Sequence, residues 1–427
     1  MPRQVCNLAV LLASLAAFLV IFTRTGQVQH PFGDDLAPLG FDESQRSAPS
    51  RSYFSLQYAF MYDTEDVEAP ATFMDASSLS KTSGYADTAG IRRPEPFPVL
   101  ARTWGENDNQ QGTFDTDDIP QPLGPDVTDR DTIISLAMMT SDAYVFGPSE
   151  PDWLNSTNGF NHSVGFGWNG TGLRGHIFAN ADNGTVIISF KGTSLDPRDK
   201  WRANDRLNDN LLFSCCCGDQ RPDPYPYGPV CDCRTDIYQC NSTCLTQELC
   251  QNDRYYGSAL TVISDVLTWY PDAIVWSIGH SLGGAVASLI GLTHNFPTVT
   301  FEAPPEKLPA YRLGLLYSRK PMTYHFGNTA DPVFMGACNG WSSSCGLAGY
   351  AFESQCFTGK KCVYDTVGDL GWRLSIANHR INTVIKDVLQ KYNTTPTCEF
   401  DDECVDCYNW DFTVPSAKPS SESKRSF

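Results

Sequence analysis

Positive charge is in short supply in this chain. It holds 31 Lys and Arg against 49 Asp and Glu in 427 residues, a formal net charge of −18. A surface of that sign repels a phosphate backbone, which excludes nucleic acid as a partner. Histidine is scarce as well, with seven in all, so a general base titrating near neutrality has few candidates. No segment recurs at a fixed period, which excludes solenoids and propellers. Cysteine is the contrary case, with sixteen present. At 41% hydrophobic residues, the chain can bury a sizeable core in one large domain with appendages.

The one long apolar run is Val5 to Thr23, flanked by Arg3 and Arg24. As a helix its 19 residues just cross about 30 Å of hydrocarbon. A cleaved signal peptide is the alternative, but no small-x-small site precedes Arg24-Thr25-Gly26. A retained, single-pass signal anchor is therefore the expectation. Asn155, Asn161, Asn169, Asn183, Asn241 and Asn393 each open an N-x-S/T sequon, which matters only in a secretory lumen. Fifteen of the cysteines lie beyond the apolar run, as suits an oxidising compartment. Both observations put the bulk of the chain in the lumen and the N-terminus in the cytoplasm. Fifteen is odd, so at least one of these cysteines should be free, mixed or intermolecular.

The expected organisation is a cytoplasmic stub and anchor over 1–24, then a lumenal stem and N-terminal elaboration over 25–128. A main domain follows over 129–395, with a cysteine-rich insertion at 214–250. The last segment, 396–427, combines an acidic cysteine-containing stretch with a polar, disordered tail. In the main domain, Asp131 to Ala143 has helical spacing, and Thr185 to Phe190 is apolar on both faces, as in a central strand. Ala259, Leu260, Ile263, Val266, Leu267 and Tyr270 mark an amphipathic helix. Thr298–Glu302 and Met322–Phe326 read as strands, and Ser375–Tyr392 as a helix. Strands alternating with helices predict an α/β fold with a mostly parallel central sheet. The eight cysteines between Cys215 and Cys250 predict a disulfide-stapled loop. Zinc held by Cys231-x-Cys233 and Cys240-x3-Cys244 is the rival, disfavoured in a glycosylated lumenal protein.

Chemistry enters at Gly279-His280-Ser281-Leu282-Gly283, between the apolar run Ala273–Ile278 and the helix-prone Ala285–Leu292. G-x-S-x-G in that setting is a nucleophile elbow, whose tight turn lifts the serine hydroxyl clear of the sheet. A purely structural glycine turn is the bland alternative. A serine hydroxyl needs a histidine to take its proton and a carboxylate to orient that histidine, in the chain order Ser, Asp/Glu, His. His280 neighbours the nucleophile and points elsewhere, His294 closes the elbow helix, and His325 lies within an apolar strand as a core histidine would. His379, late and after a long loop, is the candidate base. Asp331 follows the strand Met322–Phe326, at the strand end where α/β sheets build their sites. Asp365 and Asp369 compete with it from a later loop. The oxyanion donors expected are the Leu282 amide at the helix N-terminus and Thr193, by its amide and possibly its hydroxyl. Thr193 lies in Phe190-Lys191-Gly192-Thr193, otherwise an ordinary glycine turn.

These motifs, with Asn328-Thr329-Ala330-Asp331-Pro332-Val333 and His379, resemble the ordered motifs of the fungal class 3 lipases over about residues 130–395. Lys191 departs from that family's usual arginine. The closer resemblance is to the fungal autophagy-related vacuolar lipases, on the N-terminal anchor, Cys215-Cys216-Cys217 and the acidic segment Cys398 to Asp411. The resemblance implies an α/β-hydrolase and a Ser281/Asp331/His379 lipase needing no metal or organic cofactor. It also implies a triacylglycerol lipase and phospholipase that reaches the vacuole through multivesicular bodies and breaks down vesicle membranes there. The implied partners are the lipid bilayer and its glycerolipids. By the same resemblance Lys200 to Phe213 corresponds to a lid helix; a surface helix packed on the core is the other reading. An esterase of soluble esters, or a silent lipid-binding glycoprotein, are the rival functions.

Overall fold

The computed structural model describes residues 123–413 apart from 156–157, 195, 197, 219–228, 316–320, 341 and 402. It also describes the two-residue strands Tyr58–Ala59, Met74–Asp75 and Arg102–Thr103. The expected anchor at Val5–Thr23, most of the stem and the tail 414–427 lie outside the described residues. Among the described residues no helix is long and apolar enough to cross a membrane.

An eight-stranded sheet organises the main domain. Its strands are β1 (Phe160–Phe166), β2 (Gly175–Asn180), β3 (Thr185–Phe190), β4 (Ile274–His280), β5 (Thr298–Phe301), β6 (Thr323–Asn328), β7 (Lys360–Tyr364) and β8 (Cys398–Phe400). They lie side by side in chain order. The five from β3 to β7 are parallel, with the apolar run Thr185–Phe190 among them as expected of a strand covered on both faces. Both edges are antiparallel: β1 and β2 against β3 on one side, β8 against β7 on the other. The sheet is therefore mixed rather than mostly parallel. On one edge the reason is local, since the short 181–184 connection between β2 and β3 can only close a hairpin.

The longer helices are α1 (Arg130–Asp142), α2 (Arg202–Phe213), α3 (Ser242–Leu249), α4 (Tyr255–Trp269) and α5 (Leu282–His294). Ile133, Leu136 and Met139 of α1 share a core with Ile187, Ile278, Val299 and Phe326 of the sheet. Val384, Ile385, Val388 and Leu389 complete that core. The continuous helix expected over Ser375–Tyr392 is broken. A 3₁₀ turn, Ile376–His379, is separated from the later helical turns by Arg380 in an extended conformation. The later turns end in a π-helical one, Val384–Leu389. Ile381 onward still faces the core, whereas Ile376 is turned out to solvent.

The insertion is stapled as its composition predicts. Cys216–Cys240, Cys217–Cys231 and Cys233–Cys244 close it internally, and Cys215–Cys407 ties it to the C-terminal segment. Strand Asp411–Thr413 of that segment pairs with Gln239–Asn241 of the insertion. The sulfurs of Cys217, Cys231 and Cys233 lie within 4.8 Å of one another, but all three are oxidised and offer no thiolate to a metal. Cys338–Cys345, Cys356–Cys404 and Cys362–Cys398 account for six more. Cys250 is disulfide-bonded too, so the unpaired cysteine expected from the odd count is not found among the described residues.

Helix α2 is anchored in the interior. Its Asp205 carboxylate meets the Arg174 guanidinium at 3.3 Å with both side chains 1% exposed. It also accepts from the Tyr255 hydroxyl at 2.5 Å and the Ser194 amide at 2.7 Å. Asn210 bonds Gly349 and Ala351, while Leu211, Leu212 and Phe213 are buried. The apolar face of α2 is thus packed on the core in this structure. Removing one member of a buried ion pair strands the other charge. Asp205→Ala is expected to cost about 3–5 kcal/mol, measured by urea unfolding of the purified protein.

Candidate active site

The expected nucleophile stands where β4 passes into α5. Ser281 has φ 56° and ψ −133°, a strained conformation for a side chain other than glycine. The turn fits only because its neighbours are small: a Cβ at Gly283 would collide with the Phe190 carbonyl oxygen. Asp331 follows β6, and His379 ends the 3₁₀ turn after β7, so all three converge at the carboxyl ends of parallel strands. His379 Nε2 lies 2.8 Å from Ser281 Oγ, and His379 Nδ1 lies 2.7 Å from Asp331 Oδ2. Ser281 and His379 are 5% and 6% exposed, and Asp331 is fully buried. Burial opposes the Asp331 carboxylate. The charge and hydrogen bond of His379, with bonds from Glu302 and the Val333 amide, outweigh it and hold that carboxyl below the ordinary range.

The competing residues are occupied elsewhere. Asp365 caps a short helix at Gly368 and accepts from Thr329, and Asp369 accepts from Tyr392. His294 ends α5. His325 is a core histidine, between the Thr300 hydroxyl at 2.8 Å and Glu306 at 3.3 Å. His280 is closer to the site than its sequence position implied. Its Nε2 donates to the His379 carbonyl oxygen at 2.6 Å, and its Nδ1 accepts from the Tyr144 hydroxyl at 2.6 Å. Burial, then the nearby charge of His379, lowers it to about 3, so it buttresses the site as a neutral ring.

On the oxyanion side, the loop after β3 runs against the elbow, where a Cβ on Gly192 would strike the His280 carbonyl oxygen. Lys191 ties this loop, donating to the Gly192 carbonyl and to Ser194 Oγ. Its burial, then repulsion from Arg174, brings that amine down to about 7. The Thr193 hydroxyl donates to Asp209 of α2 at 2.7 Å, so it is committed to that buried carboxylate. The Leu282 amide opens α5, where backbone N–H groups have no partner within the helix.

Of the sequon asparagines, Asn155, Asn161, Asn169 and Asn393 are exposed, and Asn183 and Asn241 half-buried. Asn241 also caps α3 through its Oδ1.

Sequence reasoning missed Glu302, which sits fully buried behind Asp331 at the end of β5. The signal was a lone acid closing the run Thr298-Val299-Thr300-Phe301 at the strand beside the elbow.

Strand order, elbow and convergent side chains place the chain in the α/β-hydrolase class. Two curated relatives share a name. The chain is 48% identical over 314 residues to "Putative lipase ATG15" of Vanderwaltozyma polyspora, covering 71% of this chain and 55% of that protein. It is 45% identical over 338 residues to the protein of the same name from Saccharomyces cerevisiae S288c, covering 76% of this chain and 64% of that one. The chain is a homologue of these ATG15 proteins, and spans less than two thirds of their length. No family model matches the sequence. Among solved structures, it is 14% identical to Lip2 lipase from Yarrowia lipolytica (56% of this chain, 80% of that chain, TM-score 0.32). A lipase from Rhizopus microsporus var. chinensis is 16% identical (61% and 91%, TM-score 0.34).

Proposed function

We propose that this chain is a serine ester hydrolase acting on glycerolipids, a triacylglycerol lipase and phospholipase of the secretory lumen. The observation that carries the reading is the unbroken hydrogen-bonded run Ser281–His379–Asp331 at the elbow. Ser281 Oγ attacks the ester carbonyl carbon as His379 Nε2 takes its proton. Asp331 keeps the Nδ1 proton in place, fixing the tautomer that leaves Nε2 free to accept. The amides of Leu282 and Thr193 hold the oxygen that becomes an oxyanion. The imidazolium returns its proton to the departing alcohol, and water repeats both steps on the acyl-enzyme.

A glycerolipid substrate is supported by the name its homologues carry and by apolar side chains beside the site. Leu374 and Ile376, on the approach to His379, are 53% and 38% exposed. The sequons and disulfides support a glycosylated, lumenal, type II membrane protein. The resemblance to autophagy-related vacuolar lipases supports a route through endosomes and multivesicular bodies to vesicles in the vacuole.

The test is fatty-acid release from phosphatidylcholine vesicles and from triolein emulsion, compared with hydrolysis of soluble p-nitrophenyl acetate. Release from either lipid at a rate exceeding that on the soluble ester supports the reading. Turnover confined to the soluble ester would make the protein an esterase instead.

A further inference from the structure

Behind the triad lies an arrangement the reaction scheme does not use. Glu302 and Asp331 are both fully buried and both held by Asn328, whose carbonyl oxygen accepts from the Asp331 amide at 3.1 Å, and the two carboxyl groups lie against each other. Glu302 Oε1 accepts from Asn328 Nδ2 at 2.7 Å and Oε2 from the Asn328 amide at 3.3 Å. Asp331 Oδ1 accepts from the Val333 amide at 2.9 Å, and Oδ2 faces His379. Glu302 also has φ 47°, the left-handed region that disfavours any side chain with a Cβ. A strained backbone that carries a buried acid against a reactive carboxylate is a placement that the surrounding fold must hold.

Two carboxylates cannot touch inside a protein with both ionised, so a proton must lie between them. Asp331 has His379 to pair with, whereas Glu302 has only the neutral amide groups of Asn328. The proton therefore resides on Glu302.

Resting on the proposed roles of Ser281, His379 and Asp331, we infer that Glu302 is a positioning residue. As a neutral carboxylic acid it donates a hydrogen bond to Asp331 and fixes the carboxylate that orients His379. The triad becomes a line of four, Ser281–His379–Asp331–Glu302, carrying one negative charge rather than two. Burial first, then the charge and hydrogen bond of Asp331, raises the Glu302 carboxyl well above its ordinary value. The titratable groups around it are Asp331 on the β6 loop, His379 beyond it, His280 on β4, and the His325–Glu306 pair, His325 on β6 and Glu306 in the loop that follows β5. A group with a raised folded pKa keeps its bound proton, and the order it confers, until the pH climbs through that value. Activity should therefore fall on the alkaline side as Glu302 ionises.

The test uses the full chain with Glu302→Gln, Glu302→Leu and Glu302→Gly, and Ser281→Ala as a control, each checked for a cooperative thermal melt. Glutamine can donate to Asp331 while its carbonyl accepts from Asn328, so it should retain kcat within about threefold. Leucine and glycine offer no donor and should lower kcat about 10- to 100-fold with KM unchanged, the range seen for outer partners of reacting groups. Glycine suits the positive φ, so its loss cannot be assigned to strain and it stands in if the leucine variant does not fold. The alkaline limb of kcat should be present in the wild type and absent in Glu302→Gln. Equal losses in all three variants, wild-type kcat in the glycine variant, or an alkaline limb that survives in Glu302→Gln would overturn the proposal. Full activity in Ser281→Ala would instead overturn the reading of the site, and this proposal with it.

Discussion

Ser281→Ala should lower fatty-acid release by about 10⁴-fold or more while leaving the thermal melt nearly unchanged. The size follows from how the three residues act. Removing the nucleophile deletes the covalent route entirely and leaves only substrate binding and the oxyanion donors, which supply a modest residual rate. The fold should tolerate the change, because Ser281 Oγ has His379 as its hydrogen-bond partner and fills no core position. Alanine remains strained at φ 56° in the same way as serine. Loss of activity with folding intact separates a chemical role from a structural one. A drop of less than tenfold would assign the chemistry to another residue.

Asp331→Asn should cost about 10⁴-fold in kcat, again with the fold preserved. An asparagine fits the same space, but it offers His379 Nδ1 either an amide N–H or a neutral oxygen. The first turns the imidazole to the tautomer with a proton on Nε2, where it cannot accept from Ser281. The second lets the ring keep its place without a charge to stabilise the imidazolium. Both outcomes leave substrate affinity alone, so KM should hold while kcat falls. The position is also fully buried, with the Val333 amide on Oδ1. With the amide oxygen toward Val333 that donor stays satisfied, so this orientation is favoured and unfolding should report little change; the other would set two N–H groups against each other. A variant with kcat within tenfold of wild type would mean that His379 is oriented by another group.

The elbow, the order of the triad and the central strands were legible because each has a local cause. A fully apolar run such as Thr185–Phe190 declares a strand covered on both faces, and glycine beside Ser281 declares a crossing too tight for a Cβ. His379 could be picked out because the other histidines compared with it sat in positions already explained as core, as helix end or as the nucleophile's neighbour. What stayed hidden depends on contacts distant in sequence. Strands β1 and β8 are edge strands whose half-buried pattern is weak, so the sheet was read as more parallel than it is. Helix α2 has the charge and leucine content of an amphipathic lid, and only Arg174, Tyr255 and Gly349, from three other segments, reveal that it is bolted to the interior. His280 looked like a bystander until the His379 carbonyl was seen to lie on its Nε2. Glu302 was written off as the end of a strand, because nothing in its neighbours announces that Asp331 lies against it.

The central claim is that Ser281 is a nucleophile activated by His379. Labelling the full chain with a fluorophosphonate ester, followed by peptide mass spectrometry, tests this most directly. The account predicts one phosphonyl group, on Ser281, absent in Ser281→Ala and formed far more slowly in His379→Ala. Labelling at another serine, or none on Ser281 in a folded protein, would contradict it.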